Sequence, residues 1–315
     1  MIIKHFTFKD IEIFLPKEKE IVGNTDLIRF NHVASAENID SDSLDWINST
    51  RLGKEEILKK TPAKVVICDK GVVISPEIQI LKCVIKVDNP KLTFSRVVNG
   101  LFRKEQKVEI HPSAFISSSA KIGNNVSIGP FTFIGDCEIG DGTTIGSNCS
   151  IKDSVFIGQN VYIDSNTVIG SEGFGYIKNE DSVFEKFPHI SGVIIKDNVE
   201  IGSNTSIDRG SLKPTIIEEG VKIDNLVHIA HNVLIGRNSA IIANAMIAGS
   251  TRIGENCWIA PSSSILEHLV IGNNVTVGVG AVVTKNIPDN EVWTGSPARP
   301  IKDFVKIQQK LKEAL

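Results

Sequence analysis

The sequence predicts a mainly β protein: a parallel β-solenoid with a small N-terminal α/β domain and a short C-terminal helix. Three observations carry this. An aliphatic residue recurs at every sixth position through most of the chain, and residues 1–108 lack that period. Ile, Val and Gly are abundant, while aromatic residues make up only 6 % of the 315 positions. That balance favours strands and turns over a helical bundle.

The repeat is regular. Ile217, Ile223, Ile229, Ile235, Ile241, Ile247, Ile253, Ile259, Ile265, Ile271, Val277 and Val283 follow one another without a slip. Upstream, Ile110, Ile116, Ile122, Ile128 and Ile134 keep the same step, which shortens at Ile139 and resumes from Ile145 to Ile169. Period six is neither helical nor simply alternating. It suits short flat strands joined by turns, with the repeated aliphatic pointing inward. Three hexads make one triangular coil, so residues about eighteen apart stack at the strand spacing of ~4.8 Å. Gly and Asn in IGNNVS, IGSNTS and IGENCW are expected at the turns, where both tolerate φ > 0. The period itself leaves the handedness open.

The rhythm divides the chain. Residues 1–108 read as an α/β domain, with AKVVICD (63–69) and CVIKVD (83–88) as buried strands and NPKLTFSRVVNGLF (89–102) as a turn and amphipathic helix. Residues 109–284 form the solenoid, interrupted by the aromatic excursion 171–192 and a smaller one, DRGSLKPT (208–215). Residues 285–315 are a Pro-punctuated closing segment and a helix with apolar Ile301, Phe304, Val305, Ile307 and Leu311 at helical spacing, expected to cap the last coil.

Composition excludes several function classes. A formal net charge of −3 does not suit a nucleic-acid binder. Cys68, Cys83, Cys137, Cys149 and Cys257 are odd in number and lack CxxC spacing, as expected of reduced core thiols in a cytoplasmic protein. The start, MIIKHFTFKDIEIF, has no signal-peptide core. No run approaches the ~20 apolar residues of a membrane span, so any membrane role is peripheral.

GSEGFGY (170–176), GVIIKDNVEIGSNTSIDRGSL (192–212), IDNLVHIAHNVLIG (223–236) and IAGSTRIG (247–254) resemble the lipid A pathway UDP-3-O-(3-hydroxyacyl)glucosamine N-acyltransferases, within the hexapeptide-repeat acyltransferases. DSLDWINS (42–49) and VDNPKLTFSRV (87–97) are similar to that family's nucleotide-binding domain. The resemblance implies a left-handed β-helix and a homotrimer with active sites between subunits. It places the catalytic His at His231, a second functional His at His268, the oxyanion-binding N–H at Gly249 and the acidic partner at Asp224. It also implies that Trp46 stacks on the nucleotide base, with Asn48 and Ser49 transposed from the family's order. Asp208 and Arg209 match its IDRG motif, as substrate contacts or as a pair shaping the turn.

The residues support these positions. Gly249 stands one coil after His231 on the same face, so a base and an N–H donor would flank one reacting carbon. An amine must lose a proton as it attacks a thioester, and an imidazole with an ordinary pKa near ~6.5 suits that task. Asp224 is expected to fix the tautomer. His228 reads as site wall or surface, and His111 and His189 read as structural. Phe174 and Tyr176 carry the excursion, expected to form a wall of the neighbouring subunit's site.

Two departures point to a shorter acyl chain. Asn244, Met246, Ser263 and Leu266 replace the family's groove glycines, which narrows a packed groove. The closing segment is similar to that of coenzyme A-dependent sugar acetyltransferases, where Lys285 and Arg299 would meet coenzyme phosphates. The expected reaction moves a short acyl group, acetyl or 3-hydroxybutanoyl, from coenzyme A to a UDP- or dTDP-linked amino-deoxysugar for a surface polysaccharide. The alternative is the lipid A enzyme with a long chain on acyl carrier protein. No tightly bound cofactor and no metal are expected. A zinc enzyme like the γ-class carbonic anhydrases, or a non-catalytic scaffold, are the remote alternatives, and the H-x-x-H step of His228 and His231 fits the zinc site poorly.

Overall fold

A computed structural model describes residues 4–103 and 108–313. The chain divides into two compact units, Met1–Gln106 and Lys107–Leu315. The first contains helix α1 (Phe8–Ile11) and strands β1 (Glu20–Val22), β2 (Leu44–Trp46), β3 (Val65–Asp69) and β4 (Cys83–Val87), in sheet order β1-β4-β3-β2. Strands β2, β3 and β4 run parallel, and β1 is antiparallel to β4. Parallel neighbours need crossovers, and helices α2 (Lys54–Lys60) and α3 (Pro76–Leu81) supply them. Residues 65–68 and 83–85 are buried without alternation, as a covered parallel sheet requires. Helix α4 (Pro90–Phe102) starts where the Asn89 side chain accepts from the Leu92 N–H, with Pro90 at its first position.

The second unit is the solenoid. Its strands, mostly two residues long, stack into three parallel sheets of ten, nine and eight strands, the largest ending in one antiparallel strand. Ile229 pairs with Ile247, Ile247 with Ile265 and Ile265 with Val283. The inward aliphatics form one continuous apolar column, almost entirely shielded from water.

Glycine and asparagine divide the turns differently from expectation. Asn198, Asn204, Asn232, Asn238, Asn244, Asn256 and Asn274 take the left-handed conformation, with φ of 55–62°. The Gly after each Ile answers a lack of room instead: a Cβ at Gly236 would lie 2.5 Å from the Gly254 backbone carbon one coil on. Buried hydroxyls and thiols bind the coils together. Thr143 and Ser239 donate to the carbonyls of Gly158 and Gly254, and Cys149 and Cys257 donate to those of Asp164 and Gly272. All five cysteines are buried and unpaired, and burial pushes the thiols of Cys68 and Cys137 up to about 12.

The excursions leave the ladder intact. Ile157 pairs with Ile195 and Ile195 with Ile217, although the coils there span 38 and 22 residues instead of 18. At the closing end, Val292–Thr294 adds to the largest sheet and places Trp293 on Val277. Trp293 and Ala298 join the apolar column, whereas helix α5 (Ile301–Glu313) buries no residue. The capping expected of that helix falls to Trp293 and Ala298, because the segment before it turns back over the last coil. No described helix is long and apolar enough to cross a membrane.

Candidate active site

His231 leaves the strand His228–Ile229 on the nine-stranded face. Asn232 follows it with φ 62° and is itself buried. The Asn232 NH2 donates to the Lys213 carbonyl at 2.7 Å, which leaves its Oδ1 as an acceptor. That oxygen takes the Ser211 hydroxyl at 2.9 Å and meets His231 Nδ1 at 2.9 Å. The network therefore assigns the proton of a neutral His231 to Nδ1 and leaves Nε2 as the basic nitrogen. Asn232 was not singled out in the sequence. The short excursion 208–215 was the only signal, because it supplies both of the amide's anchors.

Gly249 faces that nitrogen. Pairing of His228 with Met246 and Ile229 with Ile247 sets His231 level with Gly249. A Cβ on Gly249 would lie 2.9 Å from His231 Nε2 and 2.8 Å from Cε1, so only glycine fits against this ring. The Ser250 N–H is bonded to the His231 carbonyl at 2.9 Å, while the Gly249 N–H has no partner among the described residues. A cavity of about 360 Å³ opens here, lined by Phe174, Asp208, His228, His231, Met246, Gly249 and His268 among others. His268 is exposed at a turn with φ 61° and donates its N–H to the Gly249 carbonyl.

Two acidic residues line this cavity, the exposed Glu267 and the buried Asp208. Asp208 is almost fully buried and lies 3.8 Å from His228. Burial raises its carboxyl pKa above the usual range, against the pull of His228 and His231. Asp224, expected to fix the His231 tautomer, sits at another edge of the prism. Its carboxylate accepts from the N–H groups of Asn225 and Ala243, since seven positions carry the chain to a different face. Arg209 does not pair with Asp208. Its guanidinium donates to the carbonyls of Gly170 and Asp153, which ties down the root of the long excursion.

That excursion behaves differently from expectation as well. Gly170, with φ 90°, bulges the strand Val168–Glu172, and pairing resumes as Ser171 with Asp208 and Glu172 with Arg209. An ion pair between Lys186 and Glu172 closes the root. The chain then folds over its own His231. A Cβ at Gly173 would lie 2.7 Å from His231 Cδ2 and 2.9 Å from His189 Nε2. The His189 ring packs edge-on against His231 at 4.8 Å, so this histidine, expected to be structural, belongs to the site. Phe174 lines the cavity; Tyr176 packs on Phe174 at 4.9 Å, outside it.

The groove substitutions separate. Ser263 is wholly buried, bonded to the carbonyls of Ala260 and Gly278, and Asn244 is a turn residue bonded to Ser262. Neither narrows a groove. Met246 lines the cavity and Leu266 is exposed one coil further on. Lys285 and Arg299 are exposed and do not line this cavity. Among the described residues no group of three His, Cys, Asp or Glu is placed to hold a metal ion.

The first unit has a cavity of about 560 Å³, lined by Ala34, Asp45, Trp46, Asn48, Arg51 and Lys60 among others. Trp46 stacks on Phe94 at 5.6 Å and 26°. Asn48 Oδ1 accepts from the Thr50 N–H, leaving its NH2 unengaged. Ser49 is exposed and does not line the cavity. Asp45 is held by the Thr61 hydroxyl at 2.7 Å, so it shapes the floor.

Known proteins match this arrangement. The bacterial transferase hexapeptide (six repeats) model matches residues 119–153, 214–249 and 250–285, and the hexapeptide repeat of succinyl-transferase matches 138–171. The UDP-3-O-acylglucosamine N-acyltransferase of Delftia acidovorans is 35% identical over 285 residues, 88% of this chain and 82% of that protein. The protein of that name from Caulobacter sp. (strain K31) is 42% identical over 139 residues, 44% of this chain, and the chain spans only 41% of that relative's length. Among solved structures, a UDP-N-acetylglucosamine acyltransferase from Bacteroides fragilis is 29% identical with a TM-score of 0.55, covering 61% of this chain and 73% of its own. The solenoid is thus a left-handed parallel β-helix. From the hexad ladder, the shared motifs and the length of the Delftia match, the chain belongs to the hexapeptide-repeat acyltransferases, in the family of the UDP-3-O-acylglucosamine N-acyltransferases.

Proposed function

We propose that this protein is an N-acyltransferase that moves an acyl group from a carrier thioester to the amino group of a nucleotide-linked amino sugar. The acceptor is of the UDP-3-O-acylglucosamine class, which is where the names of its relatives point. One observation carries the chemistry: the basic Nε2 of His231 faces Gly249, whose N–H is unengaged. The sugar nitrogen attacks the thioester carbonyl carbon while His231 takes its proton. The carbonyl oxygen gains charge and the Gly249 N–H donates to it. The C–S bond breaks, and the proton held by His231 leaves with the thiolate. In this reading Trp46 and Asn48 hold the base in the first unit's cavity, His268 meets the acyl donor, and the chain works as a homotrimer.

A shorter acyl chain, carried by coenzyme A or acyl carrier protein, is a second reading. Met246 in the cavity wall and Leu266 one coil on favour it. The test offers the full chain UDP-3-O-acylglucosamine and dTDP-amino sugars with short and long thioesters on both carriers, read by mass spectrometry. Transfer to the UDP sugar is expected, and His231→Ala should lower turnover about 10²–10⁴-fold with the fold intact. Unchanged turnover in that variant would sink the mechanism.

A further inference from the structure

His189 is 3% exposed, and neither of its ring nitrogens has a hydrogen-bond partner of ordinary length and angle among the described residues. Buried polar groups are almost always bonded, and an orphaned pair weakens the fold. A phenyl ring would fill the same space without that penalty. The excursion nonetheless brings this imidazole down on His231, ring to ring at 4.8 Å and 69°, with Gly173 and Gly175 packed so closely that a Cβ on either would come within 3 Å of the pair.

We propose that His189 is a positioning residue, a neutral imidazole whose uncommitted nitrogen stabilises the imidazolium that His231 becomes when it takes the amine proton. His231 has one nitrogen bonded to Asn232 and the other turned to Gly249. Its Cδ2 edge, acidic once the ring is charged, is the side that His189 Nε2 flanks across Gly173. Burial first, then His231, Lys186 and Arg209, push the His189 pKa down, against the Phe187 backbone. Asp208 and His228 stand on the His231 side, with Asp208 drawn to both histidines. His189 therefore stays neutral, and meets the proton taken up by His231 as a dipole.

This role rests on the reading of His231 as the base, and the experiment separates the two. The full chain is compared with His189→Phe, which keeps the ring and removes the nitrogens, and His189→Gln, which keeps a polar group. Thermal midpoint, turnover and the His231 ring-carbon NMR signal are followed against pH. His189→Phe should be more stable and slower: a higher thermal midpoint, kcat down about fivefold or more with KM within about twofold, and the acid-side midpoints of rate and NMR signal moved to lower pH by about half a unit. His189→Gln should recover part of the shift. A His189→Phe protein with unmoved midpoints and unchanged kcat would reduce His189 to packing. The substrate-free NMR midpoint does not depend on catalysis. If His231→Ala keeps its turnover, the base assignment fails while the NMR result still reports on the pair.

Discussion

Asn232 decides what His231 can do. Its amide is fixed by Lys213 and Ser211, so the histidine must donate Nδ1–H and present Nε2 to the cavity. Asp208 lies beside the same ring system, and here pH enters. Its folded pKa is raised above the unfolded value of 3.8 by burial. Its contribution to stability is therefore fully present below about pH 3.8 and lost as pH rises through the folded value. Asp208→Asn should match the wild type near pH 3 and exceed its thermal midpoint by a few degrees at pH 7. A midpoint gap that does not widen with pH would contradict the burial argument. The six-residue period made the His231 and Gly249 level legible in the sequence, since stacking follows from counting. Asn232 and His189 were not legible as site residues, because their contacts depend on how two irregular segments fold back. Asp224 was expected from the family resemblance, yet seven positions of the regular repeat set it at another edge of the prism.

At the scale of single elements, turns and excursions follow different rules. The hexad glycines exist for room, and Gly236 meets the Gly254 backbone where a methyl would sit. Gly236→Ala should destabilise by about 1–3 kcal/mol, as overpacking does, measured by chemical denaturation. A neutral effect would show that the coils can separate freely. The strands themselves were plain in the sequence because nearly every inward aliphatic stacks on another aliphatic. The long excursion was legible as an interruption only. Its direction is set by the Gly170 bulge, the Arg209 tie to Gly170 and Asp153, and the Lys186–Glu172 pair, none of which has a periodic signature. The terminal helix misled in the other direction. Its apolar spacing suggested a cap, yet Phe304 and Ile307 are only half-buried, and Trp293 closes the apolar column.

Taken whole, the β-helix is a stack in which each coil contacts its neighbours alone, so stability is a sum over adjacent interfaces. Trp293→Ala exposes the last interface and leaves the others untouched. Amide hydrogen exchange should accelerate in residues 270–294 of that variant, with the coils around Ile207–Ile229 unchanged. Acceleration throughout the stack would mean that it melts as one unit. Fold class followed from composition and period. The proposed acceptor and acyl length did not, since side chains outside the repeated positions, such as Met246 in the cavity wall, carry no periodic signal.

The pairing of Ile157, Ile195 and Ile217 across coils of unequal length has one more consequence. Both insertions depart from the turns just ahead of the reactive rung, and the rungs re-engage afterwards as though nothing had intervened. The stack can then absorb changes of length in these segments, provided that Ser211 and Lys213 still anchor Asn232 and His189 still packs on His231.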